Sequence, residues 1–501
     1  MENKLKELKT KLQEIYDLEM MRSLLEWDQS TYMPPGGATA RGRQMAILTR
    51  LRQERLGSPE LGKLLDSLQS YGETLDPDSD DARLLVEARK EFERATKVPP
   101  DFAARFTEHT VQSYQTWTEA RPNNDFESTL PMLEKTLELS REYSNYFPGY
   151  DHIADPLLEL TDPGMKVDEV LSLFAELRSE LVPLVESITA QEEIDDSCVR
   201  KHFSEKGQLD FGLQVITDYG YDFERGRQDK THHPFMTKFS LGDVRITTRV
   251  SEDYLVDALF STLHESGHAM YELGIKPEFE GTPLASGTSA GVHESQSRLW
   301  ENLVGRSRGF WEHYYPKLQT TFRDQLKDVS LDEFYAAINK VSRSLIRVDA
   351  DEVTYNLHVM IRFDLEAQLL EGTLELKDLP EAWHAHYESD LGVRAPDDRD
   401  GVLQDVHWYT YFIGGLFQGY TLGNIMSSSF YDAALKAHPE ITGEIATGNF
   451  DTLHTWLREN IYQYGRKFTA SELVKRTTGG ALSIEPYMQY LKTKYGELYS
   501  L

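Results

Sequence analysis

The 501-residue chain has almost no cysteine and no long apolar run, and each shortage excludes a class of protein. Its single cysteine, Cys198, excludes an intramolecular disulfide and is typical of a reducing compartment. No stretch of about 18 consecutive apolar residues is present, so we expect no transmembrane helix. The first residues, MENKLKELKTKLQE (1–14), are charged throughout and lack the apolar region of a signal peptide. These features predict a cytoplasmic protein without a membrane partner.

Basic residues are outnumbered, with 53 lysines and arginines against 83 aspartates and glutamates and a formal net charge of −30. Nucleic acids and anionic lipid surfaces are bound by clustered Lys and Arg, so this balance argues against either as the main partner. The hydrophobic fraction of 40% is enough for a sizeable buried core, and no segment of domain length has the composition of a disordered chain. The sequence thus predicts a folded globular protein.

Helical periodicity dominates the chain. Apolar residues at positions 5, 8, 12, 15 and 18 follow the three- and four-residue spacing of an amphipathic helix, which must end near MPPGG (33–37). From about residue 291 onward the chain again has mostly helical spacing. Between these parts, similar stretches occur at 38–56, 80–96, 101–119, 126–146 and 167–190. We therefore predict a mainly α fold.

One stretch departs from this pattern. HPFMTKFSLGDVRITTRV (233–250) alternates with period two around a Gly-Asp turn at 242–243, which predicts a β-hairpin. Ser251, followed by Glu252 and Asp253, is a plausible start for the next helix, which Gly274 can end. We predict one domain over 1–501, with a helical part at about 1–230, the hairpin and the next two helices at about 231–306, and a second helical part at about 307–501.

The helix after the hairpin carries FSTLHESGHAMYELG (260–274), in which two histidines flank a glutamate as HExxH. Four residues are one helical turn plus about 40°, so His264 and His268 can converge on one metal ion. Glu265 lies about 100° around the helix and can reach a water beside the metal without being a ligand. Metalloproteases use this arrangement, with the glutamate as the base. The alternative is an exposed helical face that binds nothing.

A catalytic zinc site needs a third protein ligand and one open position. Glu294 lies in SAGVHESQSRLWENLVG (289–305), far enough along the chain for a second helix to return beside the first. The alternative role for Glu294 is a surface pair with Arg298, four residues on. His293 is an alternative imidazole ligand, but neighbours on a helix diverge, so only one of the two can face the metal. Other acidic candidates are Glu272, Glu278, Glu280 and Glu301. We expect Glu294 to be the ligand.

Seven short stretches stand in one order along most of the chain. They are WDQSTYMP (27–34), HPF (233–235), DVRIT (243–247), HESGH (264–268), HESQS (293–297), IRVDAD (346–351) and GVLQDVHW (401–408). Each is weak alone, but this many in one order is highly specific. In these stretches the chain resembles the carboxypeptidase Taq family, the thermostable HExxH metallocarboxypeptidases.

The resemblance implies a single helical body with a deep active-site groove, similar in outline to neurolysin-like and angiotensin-converting-enzyme-like peptidases. It also implies a homodimer and one divalent metal per chain, usually Zn²⁺, with Co²⁺ accepted by some relatives. The implied activity is broad-specificity release of C-terminal residues from peptides. His264, His268 and Glu294 occupy the ligand positions of the family, and Glu265 occupies the catalytic position.

A carboxypeptidase must also stabilise the oxyanion of the tetrahedral intermediate. Hydrogen-bond donors aimed at that oxygen are each worth about 2.7–4 kcal/mol in well-studied enzymes. His407 and Tyr420 are the candidates, with Tyr409 behind them as a further residue near the substrate. The alternative for both tyrosines is ordinary aromatic packing, since the chain has 26 tyrosines.

Recognition of a free terminal carboxylate favours arginine, whose planar fork donates two parallel hydrogen bonds. Arg347 is our first candidate and Arg245 the second, although Arg347 could instead belong to an ion-pair network with nearby aspartates. His233, just before the hairpin, is a possible substrate contact or a structural histidine. Carboxylates should orient the ligand imidazoles, and the sequence leaves several open. They are Asp257, Asp349, Asp351 and Asp405.

Two rival hypotheses remain from the sequence. An oligopeptidase or endopeptidase could have the same HExxH site but would lack an arginine for the terminal carboxylate. A helical scaffold could keep the motif without metal, but it would gain nothing from keeping Glu265 beside the histidine pair.

Overall fold

Helices form most of the molecule. The structure, a computed structural model, describes residues 1–501. Helices hold 68% of the residues, which confirms the predicted mainly α class. None of them combines the length and the apolar character needed to cross a bilayer.

In chain order the helices are α1 (Glu2–Thr31), α2 (Ala38–Leu56), α3 (Pro59–Gly72), α4 (Asp80–Lys97), α5 (Pro100–Asn123), α6 (Leu130–Asn145), α7 (Asp155–Thr161), α8 (Val167–Thr189), α9 (Glu205–Tyr219), α10 (Leu255–Leu273), α11 (Ala290–Arg298), α12 (Arg308–Thr321), α13 (Arg323–Leu326), α14 (Leu331–Ile338), α15 (Tyr355–Glu371), α16 (Leu379–Leu391), α17 (His407–Thr410), α18 (Gln418–Ala437), α19 (Ile441–Ile445), α20 (Asp451–Asn460), α21 (Ala470–Thr478) and α22 (Glu485–Tyr499). The amphipathic stretches predicted between residues 38 and 190 correspond to α2, α4, α5, α6 and α8.

A three-stranded sheet stands before α10. Its strands are β1 (Gln228–Lys230), β2 (Met236–Ser240) and β3 (Asp243–Thr248), in the order β1-β3-β2. The antiparallel pair β2–β3 confirms the predicted hairpin, with a bulge between Lys238 and Ser240. The strand β1 pairs in parallel with β3 and was not predicted, because three residues are too few to show a period.

The apolar side chains form two separate cores. The larger core takes in residues of most helices from α5 to α22 and of β3. The smaller core lies among α1, α2, α3 and α4, and residues Ile275 to Ala285 after α10 contribute to it. The four N-terminal helices therefore pack around apolar side chains of their own. They meet the rest of the chain at the connection that follows α10 and at the β2–β3 hairpin, where Leu241 joins the smaller core and Phe239 contacts Trp27 of α1.

The helix α10 begins at Leu255, four residues later than predicted. Ser251 does not cap it, because the Ser251 carbonyl accepts a hydrogen bond from the Gln208 side chain (2.9 Å) and the helix starts after Tyr254. The helix α11 begins as expected, with the Ser289 hydroxyl accepting the N–H of Val292 at 3.1 Å. Beyond α11 the chain continues as a π-helical segment, Leu299–Val304, which the sequence did not predict. Wide turns of this kind are frequent at functional sites.

Candidate active site

Three side chains from α10 and α11 converge as the sequence predicts. His264 and His268 are one turn apart on α10, and both point to Glu294 on α11. The Oε2 atom of Glu294 lies 3.6 Å from His264 Nε2 and 3.5 Å from His268 Nε2. Ligands held at about 2.1 Å in a tetrahedron around zinc are about 3.4 Å from one another. The donor set and its spacing therefore fit a small divalent ion.

Gly267, in the middle of the HExxH motif, allows α10 and α11 to come this close. A Cβ atom at Gly267 would lie 2.6 Å from the carbonyl oxygen of Gln296 and 2.7 Å from Cα of Ser297. Gly423 on α18 has the same function on the other side of α11, because a Cβ atom there would lie 2.5 Å from Cβ of Glu294. Two glycines thus let three helices approach each other at the third ligand.

We expect Gly267→Ala to destabilise the protein and weaken metal binding, although alanine is the better helix former by about 1 kcal/mol. The new methyl would push α11 and Glu294 away from the histidine pair, and such crowding typically costs about 1–3 kcal/mol. Thermal unfolding and metal titration would measure both effects. Gly496→Ala is the matched control, since its helical position has open space and should gain stability. Equal stability changes in the two variants would contradict the close approach.

The two oxygens of Glu294 have different partners. Oε2 faces the imidazoles, whereas Oε1 accepts a hydrogen bond from Arg298 Nε at 2.7 Å. Burial opposes the charge on Glu294, but Arg298 and the two histidines hold its pKa well below the ordinary value. Glu294 therefore faces the histidine pair and also pairs with Arg298, and this pair is mostly buried, with the Arg298 side chain 17% exposed, rather than at the surface.

Each histidine of the candidate metal site is oriented through its Nδ1 atom. His264 Nδ1 lies 2.9 Å from Glu301 Oε2, and Arg298 also binds that carboxylate at 3.1 Å. His268 Nδ1 lies 2.7 Å from His293 Nδ1, so an imidazole rather than a carboxylate supports the second ligand. Partners of this kind fix the ring and its tautomer.

A chain of contacts continues behind His293. Its Nε2 atom is 2.8 Å from Glu272 Oε1, and Lys238 on β2 binds the other oxygen of Glu272 at 2.6 Å. From the sequence, Glu272, Glu301 and His293 were expected only as alternative ligands. Glu301 follows Glu294 by two helical turns and Glu272 follows His268 by one turn. This spacing places each glutamate on the same face as the residue before it and could have predicted that it lies behind a histidine. Asp257, considered for that position, pairs with Arg249 at 3.1 Å instead.

Glu265 lies in the same part of α10 and is 7% exposed. Burial raises its pKa to about 7. It makes no hydrogen bond through its carboxylate with another side chain, unlike Glu294 and Glu301. A carboxylate with this pKa and no fixed partner can exchange a proton near neutral pH.

Arg347, His407 and Tyr420 form a second group of predicted residues. Asp405 connects the first two, since its Oδ1 accepts from Arg347 Nη2 at 3.0 Å and lies 3.5 Å from His407 Nδ1. The Arg347 guanidinium lies 5.5 Å from the centre of the Tyr420 ring. Burial raises the pKa of Tyr420 far above its usual value, so its hydroxyl stays protonated and can donate a hydrogen bond.

Tyr355 connects this second group to the metal ligands. Its hydroxyl accepts a hydrogen bond from Arg347 Nη1 at 3.1 Å, and its ring lies 4.8 Å from the Arg298 guanidinium. Arg298 in turn holds Glu294. A continuous set of contacts thus runs from the third ligand candidate to Arg347, and no pattern in the sequence pointed to Tyr355.

The profile of the carboxypeptidase Taq (M32) metallopeptidases matches residues 7–495. The chain belongs to this M32 family. It is 42% identical to thermostable carboxypeptidase 1 of Thermus thermophilus over 495 residues, which cover 96% of each protein. It is 36% identical to carboxypeptidase 1 of Bacillus subtilis, covering 96% of this chain and 95% of that one. A crystal structure of the M32 carboxypeptidase from Deinococcus radiodurans R1 superposes with a TM-score of 0.97, at 52% identity and full coverage of both chains.

Membership of the M32 family confirms the predicted activity. The protein is a metallocarboxypeptidase, a peptide hydrolase that depends on a divalent metal, and the comparisons do not support the oligopeptidase alternative. Its expected substrates are peptides. The His264, His268 and Glu294 cluster is the candidate site for the metal.

The M32 chain does not bring every predicted residue to these two groups. Arg245 binds Asp243 through two hydrogen bonds and stacks on Trp27 at 4.4 Å. His233 is exposed on the connection between β1 and β2, where Nδ1 lies 3.3 Å from the carbonyl of Pro234. Tyr409 is 1% exposed, and its hydroxyl hydrogen bonds to Thr129 at 3.2 Å, so it packs in the core instead of facing substrate.

Proposed function

We propose that this M32 carboxypeptidase holds one zinc ion at His264, His268 and Glu294 and that Co²⁺ can replace it. The observation that carries the proposal is the position of Glu294 Oε2, within 3.6 Å of both imidazole Nε2 atoms. Two nitrogens and one carboxylate oxygen with a fourth position open are the donor set of catalytic zinc. Burial lowers the pKa of His268 to about 4, so this imidazole is neutral and free to be a ligand.

The bound ion would supply Lewis acidity, which makes water a nucleophile near neutral pH and polarises the carbonyl under attack. Glu265 takes the proton from the attacking water and then delivers it to the departing amine, which agrees with its raised pKa. Tyr420 donates a hydrogen bond to the oxyanion, since its protonated hydroxyl has no partner within the chain. His407, held beside Asp405, is the second donor.

Arg347 binds the terminal carboxylate of the substrate in this proposal. Of its five N–H donors, Nε and one on Nη2 are given to Asp405 and one on Nη1 to Tyr355. Two donors remain for a ligand, which is the number needed for a bidentate carboxylate. Arg245 has a weaker claim, because its fork is already engaged with Asp243.

Arg347→Met should remove the preference for a free C-terminus. We expect the KM for a C-terminally free peptide to rise roughly 10- to 100-fold, the usual worth of a hydrogen bond to a charged group. The ratio of kcat/KM between the free peptide and its amide would measure this preference. Arg245→Met is the matched control and should leave the ratio unchanged. If Arg245→Met collapses the ratio and Arg347→Met does not, the two assignments are exchanged.

The edge strand β2 is proposed to lie along the extended substrate. Only one side of β2 pairs with a strand, namely β3, so the other side can form backbone hydrogen bonds with a peptide. His233 precedes β2 on an exposed connection and is proposed as a contact at the rim of the groove. Lys238 of β2 binds Glu272, which places the strand next to the supporting residues of His268.

We also propose that residues 1–501 form one peptidase domain that acts as a cytoplasmic homodimer. The family profile extends over nearly the whole chain, which supports a single functional unit despite the two hydrophobic cores. The single, buried cysteine agrees with a reducing compartment. The dimer rests on the family resemblance.

A further inference from the structure

Three charged side chains meet in the interior behind Tyr420. Arg347 and Asp405 are each 6% exposed, and Arg362 on α15 is fully buried. One oxygen of Asp405 accepts from Arg347 at 3.0 Å, and the other accepts from Arg362 Nε. A single carboxylate is thus shared by two guanidinium groups.

We propose that Arg362 is a positioning residue for recognition of the terminal carboxylate of the substrate. By neutralising Asp405 from the other side, it leaves the positive charge of Arg347 uncompensated at the two N–H donors that Asp405 and Tyr355 do not take. This inference rests on the proposed function of Arg347, and it concerns a residue that the substrate does not touch.

All three nitrogen atoms of the Arg362 guanidinium donate hydrogen bonds to buried groups. Its Nη1 donates to the carbonyl of His358 at 2.6 Å and to the Tyr387 hydroxyl at 3.1 Å. Its Nη2 donates to Gln404 Oε1 at 2.8 Å, and the same oxygen accepts the backbone N–H of Arg347 at 3.0 Å. Arg362 therefore supports both Asp405 and the backbone of the residue that it is proposed to assist.

Asp405 is the only carboxylate among the groups that bind Arg362. Burial raises the pKa of Glu366, one turn along α15, to about 8, so this side chain holds a proton at neutral pH. Burial lowers the pKa of His358 well below its usual value, which keeps that imidazole neutral. His407 adds no negative charge. The cluster thus contains two positive charges and one negative charge.

An unbalanced charge in the interior is costly unless an opposite charge meets it. One arginine and one aspartate would already hold Arg347 in place without excess charge. The additional cation has a physical purpose if an anion arrives from outside, and the substrate's terminal carboxylate, bound by the two free donors of Arg347, is the proposed anion. Without Arg362, that carboxylate would meet a neutral ion pair whose aspartate repels it.

The charge balance predicts an order among four variants. Arg362→Met should raise the KM for a C-terminally free dipeptide derivative about tenfold while kcat changes little, because the lost interaction is with the bound end of the substrate. Arg362→Lys keeps the charge and should stay within about threefold of the wild type. The double variant Arg362→Met/Asp405→Asn returns the net charge of the cluster to +1, because it removes one positive and one negative charge. The amide oxygen at position 405 can still accept from Arg347, so the KM of the double variant should return close to the wild-type value. Arg178→Met is the matched structural control.

Arg178 is suitable because it also binds two carboxylates, the half-buried Asp364 on α15 at 2.5 Å and the buried Asp390 at 2.8 Å. Its loss should lower the melting temperature without raising KM. A second readout is binding of acetohydroxamate, a metal ligand without a carboxylate, which Arg362→Met should leave unchanged. Metal content and circular dichroism would establish that each variant is folded.

An unchanged KM in folded Arg362→Met would overturn the proposal, and so would a double variant that binds no better than the single one. If Arg362→Met does not fold, the KM of the double variant and of Arg362→Lys still decides, because the charge balance requires both to be near the wild type. Failure of the proposed function looks different, since Arg347→Met itself would then leave the KM for a free carboxylate intact.

Discussion

Replacing Glu265 by glutamine should abolish peptide hydrolysis while the metal stays bound. Glutamine has almost the same shape but cannot accept the proton of the attacking water, and loss of a general base costs about 100- to 10,000-fold in rate. The proposed ligands His264, His268 and Glu294 are untouched, so metal content should be unchanged. Steady-state hydrolysis of a blocked dipeptide and elemental analysis of the purified protein would measure the two quantities.

Glu278→Gln is the matched control for this experiment, because Glu278 is an exposed glutamate a few residues beyond the same helix. It should keep full activity and full metal content. A large loss of metal in Glu265→Gln would show that Glu265 is itself a ligand, and full activity without its carboxylate would remove it from the mechanism.

Replacing Glu294 by glutamine should remove both the metal and the activity. The variant loses the only carboxylate among the proposed ligands, and the half-buried Arg298 loses its closest partner at 2.7 Å. Breaking a buried ion pair by removing one member typically costs about 3–5 kcal/mol, so the unfolding temperature should fall even without metal. Competition with a chromogenic chelator and calorimetry of metal-free protein would test both expectations.

Glu301→Gln provides a graded comparison. Glu301 binds His264 Nδ1 and is not one of the proposed ligands, and loss of such a partner typically weakens metal binding about 10- to 100-fold. Glu294→Gln should therefore bind metal much more weakly than Glu301→Gln. Equal affinities in the two variants would argue against Glu294 as the third ligand.

The sequence predicts the fold well where periodicity is long and turn residues are strong. The helices α1, α2, α4, α5, α6 and α8 lie close to the predicted stretches, and the hairpin is where period two predicts it. Several local features were missed, two of them for clear physical reasons. The strand β1 is too short to show a period, and the start of α10 moves because Gln208, distant in sequence, takes the Ser251 carbonyl.

The candidate metal ligands could be predicted because four-residue spacing on one helix fixes the direction of two side chains. The partners behind them could not be, since His293 meets His268 only when α11 lies against α10. The sequence also could not show which arginine lies near the other candidate residues. Arg245 and Arg347 both occur in motif stretches, but only the fold places Arg347 beside Tyr420. Tyr409 and Tyr420 could not be distinguished by sequence, but in the structure Tyr409 is a core residue.

The Tyr355 ring lies between two guanidinium groups, 4.8 Å from that of Arg298 and 6.0 Å from that of Arg347. One of these holds the carboxylate proposed to grip the ion, and the other is proposed to hold the end of the substrate. These three planar groups fix the distance between the proposed metal site and the proposed carboxylate site, because none of them can move without breaking a contact with its neighbour. This distance, rather than any pocket for a particular side chain, would then decide how far from the C-terminus of the substrate the cleaved peptide bond lies.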